Sequence, residues 1–131
     1  MSLAKYATAT SNPQIQHLDF NRVFAQGNDA DKKEAAGLLG RIHGGLYSKT
    51  FPIPSEQEAL EDWLDRLGAE EEPTNIQFFA AYGKNLGDPE KEDIAGFIVS
   101  EYYKGTGVGL INYVIRDKAY KDVFGAKEMA D

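Results

Sequence analysis

From Ala59 to Leu67 apolar residues return at three- and four-residue spacing: Ala59, Leu60, Trp63, Leu64 and Leu67. That is the period of one helix face. Ser55-Glu56-Gln57-Glu58 precedes them as a capping box, and Gly68 follows as a stop. The pattern predicts a helix over Ser55–Leu67. A second set, Ala35, Leu38, Leu39, Ile42 and Leu46, predicts a helix within Asp31–Tyr47, with Asp29 or Asp31 as its cap. Gly37, Gly40, Gly44 and Gly45 weaken it or let another element approach closely. Phe51-Pro52-Ile53-Pro54 between the two must be extended, because each proline biases its predecessor away from helix.

Three apolar runs follow, Ile76–Tyr82, Ile94–Tyr102 and Val108–Ile115. A polar loop with Gly87-Asp88-Pro89 separates the first two, and Lys104-Gly105-Thr106-Gly107 is a hairpin turn between the last two. An antiparallel meander is expected. Its strands are nearly continuous in apolar residues, which predicts helices over both faces. Ile15, His17 and Leu18-Asp19-Phe20 suggest a short first strand, and Gly27-Asn28-Asp29 is turn chemistry. Residues 1–13 read as a loose polar arm, with Met1-Ser2-Leu3 set aside as a leader. Residues 14–131 then form one α+β domain. Gly125 to Ala130 looks like the start of a helix that the chain leaves cut off.

With 131 residues and 42 % hydrophobic content, one domain with a single core is expected. Cysteine is absent, which excludes disulfides, thiolate metal sites and a cysteine nucleophile. No apolar run approaches a membrane span, so no membrane partner is expected and a reducing cytoplasm is the natural compartment. The net charge of −7 weighs against nucleic acid as a partner, yet leaves room for a local basic pocket. His17 and His43 lack carboxylates at ligand spacing, so no metal site is expected. No activated-serine motif, Walker loop or dinucleotide fingerprint occurs. Gly105-Thr106-Gly107 is better explained by its turn than by phosphate, and Glu70-Glu71-Glu72 by a solvated helix exit.

The order strand, helix, helix, antiparallel meander, then a loop opening a helix resembles the GNAT superfamily of acetyl-CoA-dependent N-acetyltransferases. Three stretches carry the likeness: Leu46-Tyr47-Ser48-Lys49-Thr50-Phe51-Pro52, Ile94 to Tyr103, and Gly109 to Ile115 with Ala119-Tyr120-Lys121. It covers about residues 15 to 131. The family's diagnostic loop, Arg/Gln-x-x-Gly-x-Gly/Ala, aligns with Lys121-Asp122-Val123-Phe124-Gly125-Ala126. Lys121 replaces Arg or Gln, Phe124 stands where a glycine belongs, and Ala126 fits. A diphosphate needs converging amides, and a helix N-terminus offers them. The resemblance gives Lys121 the charge and the amides of Gly125 and Ala126 the geometry, with Phe124 turned away.

The resemblance implies a GNAT-like fold, a mainly antiparallel mixed sheet with helices packed on its faces, whose C-terminal part is missing here. It implies acetyl-CoA as co-substrate and a primary amine, on a small molecule or a peptide, as acceptor. Backbone amides around Val114 and Ile115 would hold pantetheine and meet the thioester carbonyl. Glu101 would deprotonate the amine through water, and Tyr113 would orient it. The alternative is a GNAT-like module without catalysis that binds or assembles. With that C-terminal part missing, Val108–Ile115 is expected to have an exposed edge or flank. A partner chain (a second copy in a homodimer among them), a swapped segment or a disordered remainder beyond Asp131 is expected.

Overall fold

The predicted meander is the centre of the fold. A computed structural model, which describes residues 2–69 and 75–120, shows an α+β arrangement built on a five-stranded antiparallel sheet. The strands are β1 (Ala7–Ala9), β2 (Gln16–Asp19), β3 (Asn75–Lys84), β4 (Asp93–Tyr103) and β5 (Val108–Arg116), paired in that order. All three predicted runs are strands, each slightly longer than the apolar stretch that marks it. The helices are α1 (Phe20–Gln26), α2 (Asp29–Ile42), a single turn α3 (Ser48–Thr50) and α4 (Leu60–Leu67). The expectations for Glu70-Glu71-Glu72 and for Lys121 to Ala130 lie outside the described residues.

The N-terminal residues differ most from the sequence reading. Ser2–Tyr6 form a 3-10 turn, Leu3 is fully buried, and β1 pairs with β2. One buried carboxylate ties this segment to α2. Asp31 accepts from the Tyr6 hydroxyl at 2.8 Å and lies 3.2 Å from the Lys5 ammonium. A charge this deep needs such partners. Asp31 therefore does not cap α2; Asn28 does, its Oδ1 accepting from the Asp31 amide at 2.8 Å. The chain also turns helical at Phe20, capped by Asp19 through the Arg22 amide at 3.2 Å, where only a strand end was expected.

The helix predicted over Ser55–Leu67 starts five residues late. Pro54–Glu56 form a 3-10 turn, and Ala59 precedes α4 without a side-chain cap. Glu58 has other work. Its carboxylate accepts from the Trp63 indole N–H at 2.6 Å and lies 3.6 Å from Arg66. Indole is a donor with no acceptor, so a buried one must be met by a carbonyl or carboxylate.

Among the described residues the helices cover one face of the sheet, not both. Phe79, Ala81, Phe97, Val99 and Ile115 face Phe20, Leu38, Ile42 and Trp63 in the main core. The opposite face carries a smaller cluster of Ile15, Ala80, Tyr82, Ala95, Ile98 and Tyr120, with no helix residue from α1–α4 in it. Phe78, Tyr102 and Ile111 remain exposed there. The long apolar runs thus mark burial on the helix side together with an apolar far face.

Two irregularities interrupt the ladders. At Tyr82/Gly83 the β3–β4 register shifts. A Cβ on Gly83 would fall 2.1 Å from the Asp93 carbonyl oxygen, so only glycine fits that close approach. Between β4 and β5, Val99 pairs with Tyr113 and Ser100 with Ile111. Asn112 is therefore the extra residue of a bulge.

His17 carries a stability prediction. Its ring stacks on Tyr82 with centroids 4.9 Å apart, and burial pushes its pKa below the usual 6.5, against an opposing pull from Asp19. The unfolded chain then takes up the proton first, so stability is lost as pH falls through about 6.5. Urea midpoints should drop between pH 7 and pH 5, and His17→Gln should flatten that slope. Identical slopes in the two proteins would rule this out.

Candidate functional site

The loop between α2 and α4 is shaped by hydrogen bonds that hold it close to the sheet. After Ile42 the backbone widens into a π turn over His43–Tyr47, where Gly44 and Gly45 have open space around them. Such turns recur at functional sites. The His43 Nε2 lies 2.6 Å from the Glu58 carbonyl oxygen, and the Tyr47 hydroxyl accepts from the Glu58 amide at 2.7 Å. The Ser48 hydroxyl donates to the His43 carbonyl at 2.5 Å. His43 is thus an anchoring residue of the loop. Tyr47 packs on Trp63 and on Tyr113, with centroids 4.9 and 5.8 Å apart. These contacts bring α3 against the C-terminal end of β5.

There a groove of about 610 Å³ opens, lined by Leu46, Lys49, Thr50, Val114, Ile115, Arg116, Asp117 and Lys118. Three of these side chains are cationic and one is a carboxylate. Asp117 is occupied in shaping its own turn, since its Oδ1 accepts from the Ala119 amide at 3.0 Å. On a chain of net charge −7, three cations around one concavity are a local reversal of sign. A groove of this kind attracts an anion.

Further along β5, on the helix side, lies a polar bay. Gln77, Glu101 and Leu110 form one row across β3, β4 and β5; Phe79, Val99 and Tyr113 form the next. Glu101 Oε1 accepts from Gln77 Nε2 at 3.1 Å and from Asn112 Nδ2 at 3.3 Å. The Tyr103 hydroxyl is its strongest donor. Together with these amides and nearby Arg66, it holds the Glu101 carboxyl below the usual carboxylate range, against the opposing effect of burial. Glu101 is consequently ionised at neutral pH and a weak base. Tyr113 behaves in the opposite sense. Burial first, then the charge of Glu58, pushes its pKa well up, so the phenol keeps its proton. Its hydroxyl and Gln77 Oε1 are buried and have no hydrogen-bond partner among the described residues.

The structure places the sequence-predicted residues in two groups. Val114 and Ile115 line the groove, with Ile115 contributing to the core as well. Glu101 and Tyr113 border the bay one row apart. Lys121, Gly125 and Ala126 lie outside the described residues. Sequence reasoning missed Lys49, Arg116, Lys118, Gln77 and Asn112. Lys49 lies within Leu46–Pro52, one of the stretches that carry the resemblance, but a lone lysine there has no signature. Gln77 and Asn112 sit inside apolar runs, where a single amide in the midst of a strand was the available signal.

No family model, curated protein or solved structure matches this chain. Among the described residues there is no group of three or more His, Asp or Glu that could hold a metal, and no helix long and apolar enough to cross a membrane.

Proposed function

We propose that the protein is an acyl-CoA-dependent N-acyltransferase of GNAT-like fold, moving an acetyl group from acetyl-CoA to a primary amine. The observation that carries this is the cationic groove at the C-terminal end of β5, set in line with a strand bulge and a polar bay. In this reading Lys49, Arg116 and Lys118 meet the phosphates of the cofactor, and the backbone at Val114 and Ile115 guides pantetheine. Ile98 opposite Val114 and Glu101 opposite Leu110 are three β4 residues apart, roughly 10 Å at strand spacing. An extended pantetheine arm covers that distance, and the bulge at Asn112 falls along it. A bulge disrupts the local ladder, which leaves backbone polar groups available to a thioester carbonyl.

The chemistry balances without a metal or redox partner. The amine nitrogen attacks the thioester carbon, the C–S bond breaks, and CoA leaves as a thiolate that takes up a proton. Glu101 holds the incoming ammonium and relays the proton it sheds to water. Tyr113 keeps its proton and offers its hydroxyl oxygen to an N–H of the amine, which orients it. Cytoplasmic residence suits such a substrate and a chain without cysteine.

The test is calorimetric titration of acetyl-CoA into the full chain. Saturable binding is expected. Lys49→Glu and Lys118→Glu should each weaken it about ten-fold, since each turns an attraction into a repulsion. No binding by the wild type, at any concentration up to millimolar, would end the proposal.

A second reading, a GNAT-like assembly module without catalysis, draws on a different observation. Among the described residues β5 pairs on one side only, and Val108, Leu110 and Ile111 are more than half exposed at 56 %, 51 % and 52 %. Exposed apolar edges invite pairing with another chain. A stable homodimer in light scattering, with no acetyl-CoA binding, would favour this reading over the first.

A further inference from the structure

Glycine is, after proline, the least favourable residue inside a helical turn. Two circumstances call for it there: a left-handed φ, or a neighbour too close for a Cβ. Gly44 and Gly45 meet neither. Neither has a positive φ, and a Cβ added to either meets nothing within 4 Å beyond the turn's own backbone and its chain neighbours. Gly83, with no room for a Cβ, is the opposite case. What glycine contributes at positions 44 and 45 is backbone freedom. Both sit in the π turn over His43–Tyr47, where one residue more than an α turn is already accommodated.

The cationic groove has one fixed wall and one that hangs on this turn. Residues 114–118 form the fixed wall: Ile115 is buried in the core, and the Asp117 amide donates to the Ala95 carbonyl at 2.8 Å. Leu46, Lys49 and Thr50 form the other wall, beginning one residue after Gly45. Tyr47 is its inner tie, buried against Trp63, while Lys49 and Thr50 are exposed. The Thr50 hydroxyl donates to the Leu46 carbonyl at 2.9 Å, so this short segment holds together as a unit. Lys49 stands on the hung wall, and Arg116 and Lys118 stand on the fixed one. Like charges across a groove repel, and an anion between them attracts both walls.

We propose that Gly44-Gly45 is a hinge on which the wall of Leu46, Lys49 and Thr50 closes over an anion held in the groove. A compound with several phosphate charges is the class that three cations fit. The hinge rests on the groove as an anion site, which the acyltransferase reading shares, and not on acyl transfer. Closure unwinds the turn at the two glycines and carries Lys49 toward Arg116 and Lys118.

Inorganic pyrophosphate is the probe, used on the full chain with calorimetry, thermal melts and hydrogen exchange read by mass spectrometry. Without pyrophosphate, the amides of residues 45–50 should exchange faster than those of residues 38–42 in α2. Saturating pyrophosphate should slow the first set and leave the second. The double variant Gly44→Ala/Gly45→Ala should melt higher than the wild type, because alanine favours the helical turn that both positions occupy. It should bind pyrophosphate about ten-fold more weakly, because alanine resists the unwinding at two positions. Gly37→Ala is the control: it lies on the exposed side of α2, where a Cβ would find Arg41 at 3.8 Å as its nearest neighbour. It should also melt higher, yet bind as the wild type does. Higher stability with lower affinity marks a hinge, whereas damage to the fold would lower both. Equal affinity in the wild type and the double variant, exchange that pyrophosphate does not slow, or no pyrophosphate binding by the wild type each overturns the proposal. Acetyl-CoA titrated into the same preparations separates the two ideas. If the double variant binds both ligands as the wild type does, the hinge fails and the acyltransferase reading stands. If pyrophosphate slows exchange in the wild type through these glycines while acetyl-CoA does not bind, the hinge stands and the acyltransferase reading falls.

Discussion

Replacing Trp63 with alanine is expected to remove about 3–5 kcal/mol of folding stability, the usual cost of emptying a large aromatic site in a core. Trp63 is the single tryptophan and is fully buried. Its ring lies 4.9 Å from Tyr47, 5.0 Å from His43, 5.2 Å from Phe97 and 6.0 Å from Phe79, centroid to centroid. It therefore joins α4, the π turn and the sheet in one contact. Domains of this kind have about 5–15 kcal/mol in total, so the loss is a large part of the whole. Its indole N–H also holds Glu58, whose carboxylate then loses a partner. Trp63→Phe separates these effects: it keeps most of the ring and deletes only the donor, and should cost about 1–2 kcal/mol. The measurement is urea unfolding followed by far-UV circular dichroism, because the substitution removes the fluorophore. A loss below about 1 kcal/mol for the alanine variant would mean that the aromatic cluster does not join these elements as described.

What the sequence made legible follows the physical range of each signal. The three long strands were readable because an apolar run bounded by Gly, Pro and Asp is a local statement. Their antiparallel order followed from Lys104-Gly105-Thr106-Gly107 and from the short polar loop before Ile94. The start of α4 is not legible because Ser55-Glu56-Gln57-Glu58 has capping-box spelling, while Glu58 is drawn instead to the Trp63 indole. The choice between those partners is tertiary, and no window of sequence contains it. Leu3 is not legible as a core residue because one leucine in a polar segment has no period. Only the pairing of β1 with β2 and the Asp31 anchor explain its burial.

The site divides in the same way. Val114, Ile115, Glu101 and Tyr113 were nameable because a family resemblance pointed at the strand. The groove cations were not, because Lys49 and Lys118 are 69 positions apart and meet only through the fold. The role expected of Glu101 also shifts. A carboxylate at a strand end looks like a base on position alone. Three donors and a nearby guanidinium make it a weaker base and a better holder of positive charge. That distinction depends on Gln77 and Tyr103, neither of which the sequence ties to Glu101.

On the proposed acyltransferase function, deleting Asn112 is expected to abolish acetyl transfer while leaving the fold in place. Asn112 is the residue that β5 carries in excess of β4 at the bulge. Without it, Tyr113 opposite Val99 and Ile111 opposite Ser100 become successive pairs of a regular ladder. No side chain changes face, and Leu110 stays opposite Glu101. The strand straightens and the amides that the bulge released return to cross-strand bonds. A displacement of about 1 Å at reacting atoms can cost about a hundred-fold in rate, so thiol release from acetyl-CoA with 1,5-diaminopentane should fall at least about a hundred-fold. Acetyl-CoA affinity should weaken less, because the cations of the groove are untouched. Asn112→Ala is the necessary companion. It keeps the bulge and removes only the Nδ2 donor to Glu101, at 3.3 Å, so its loss of rate should be far smaller. Thermal melts of both variants establish that they fold; the deletion, with a regular ladder, should melt no lower than Asn112→Ala. Were the deletion to turn over as fast as Asn112→Ala, the bulge would have no part in the chemistry. The thioester would then have to be held by side chains, with Tyr113 the first to examine.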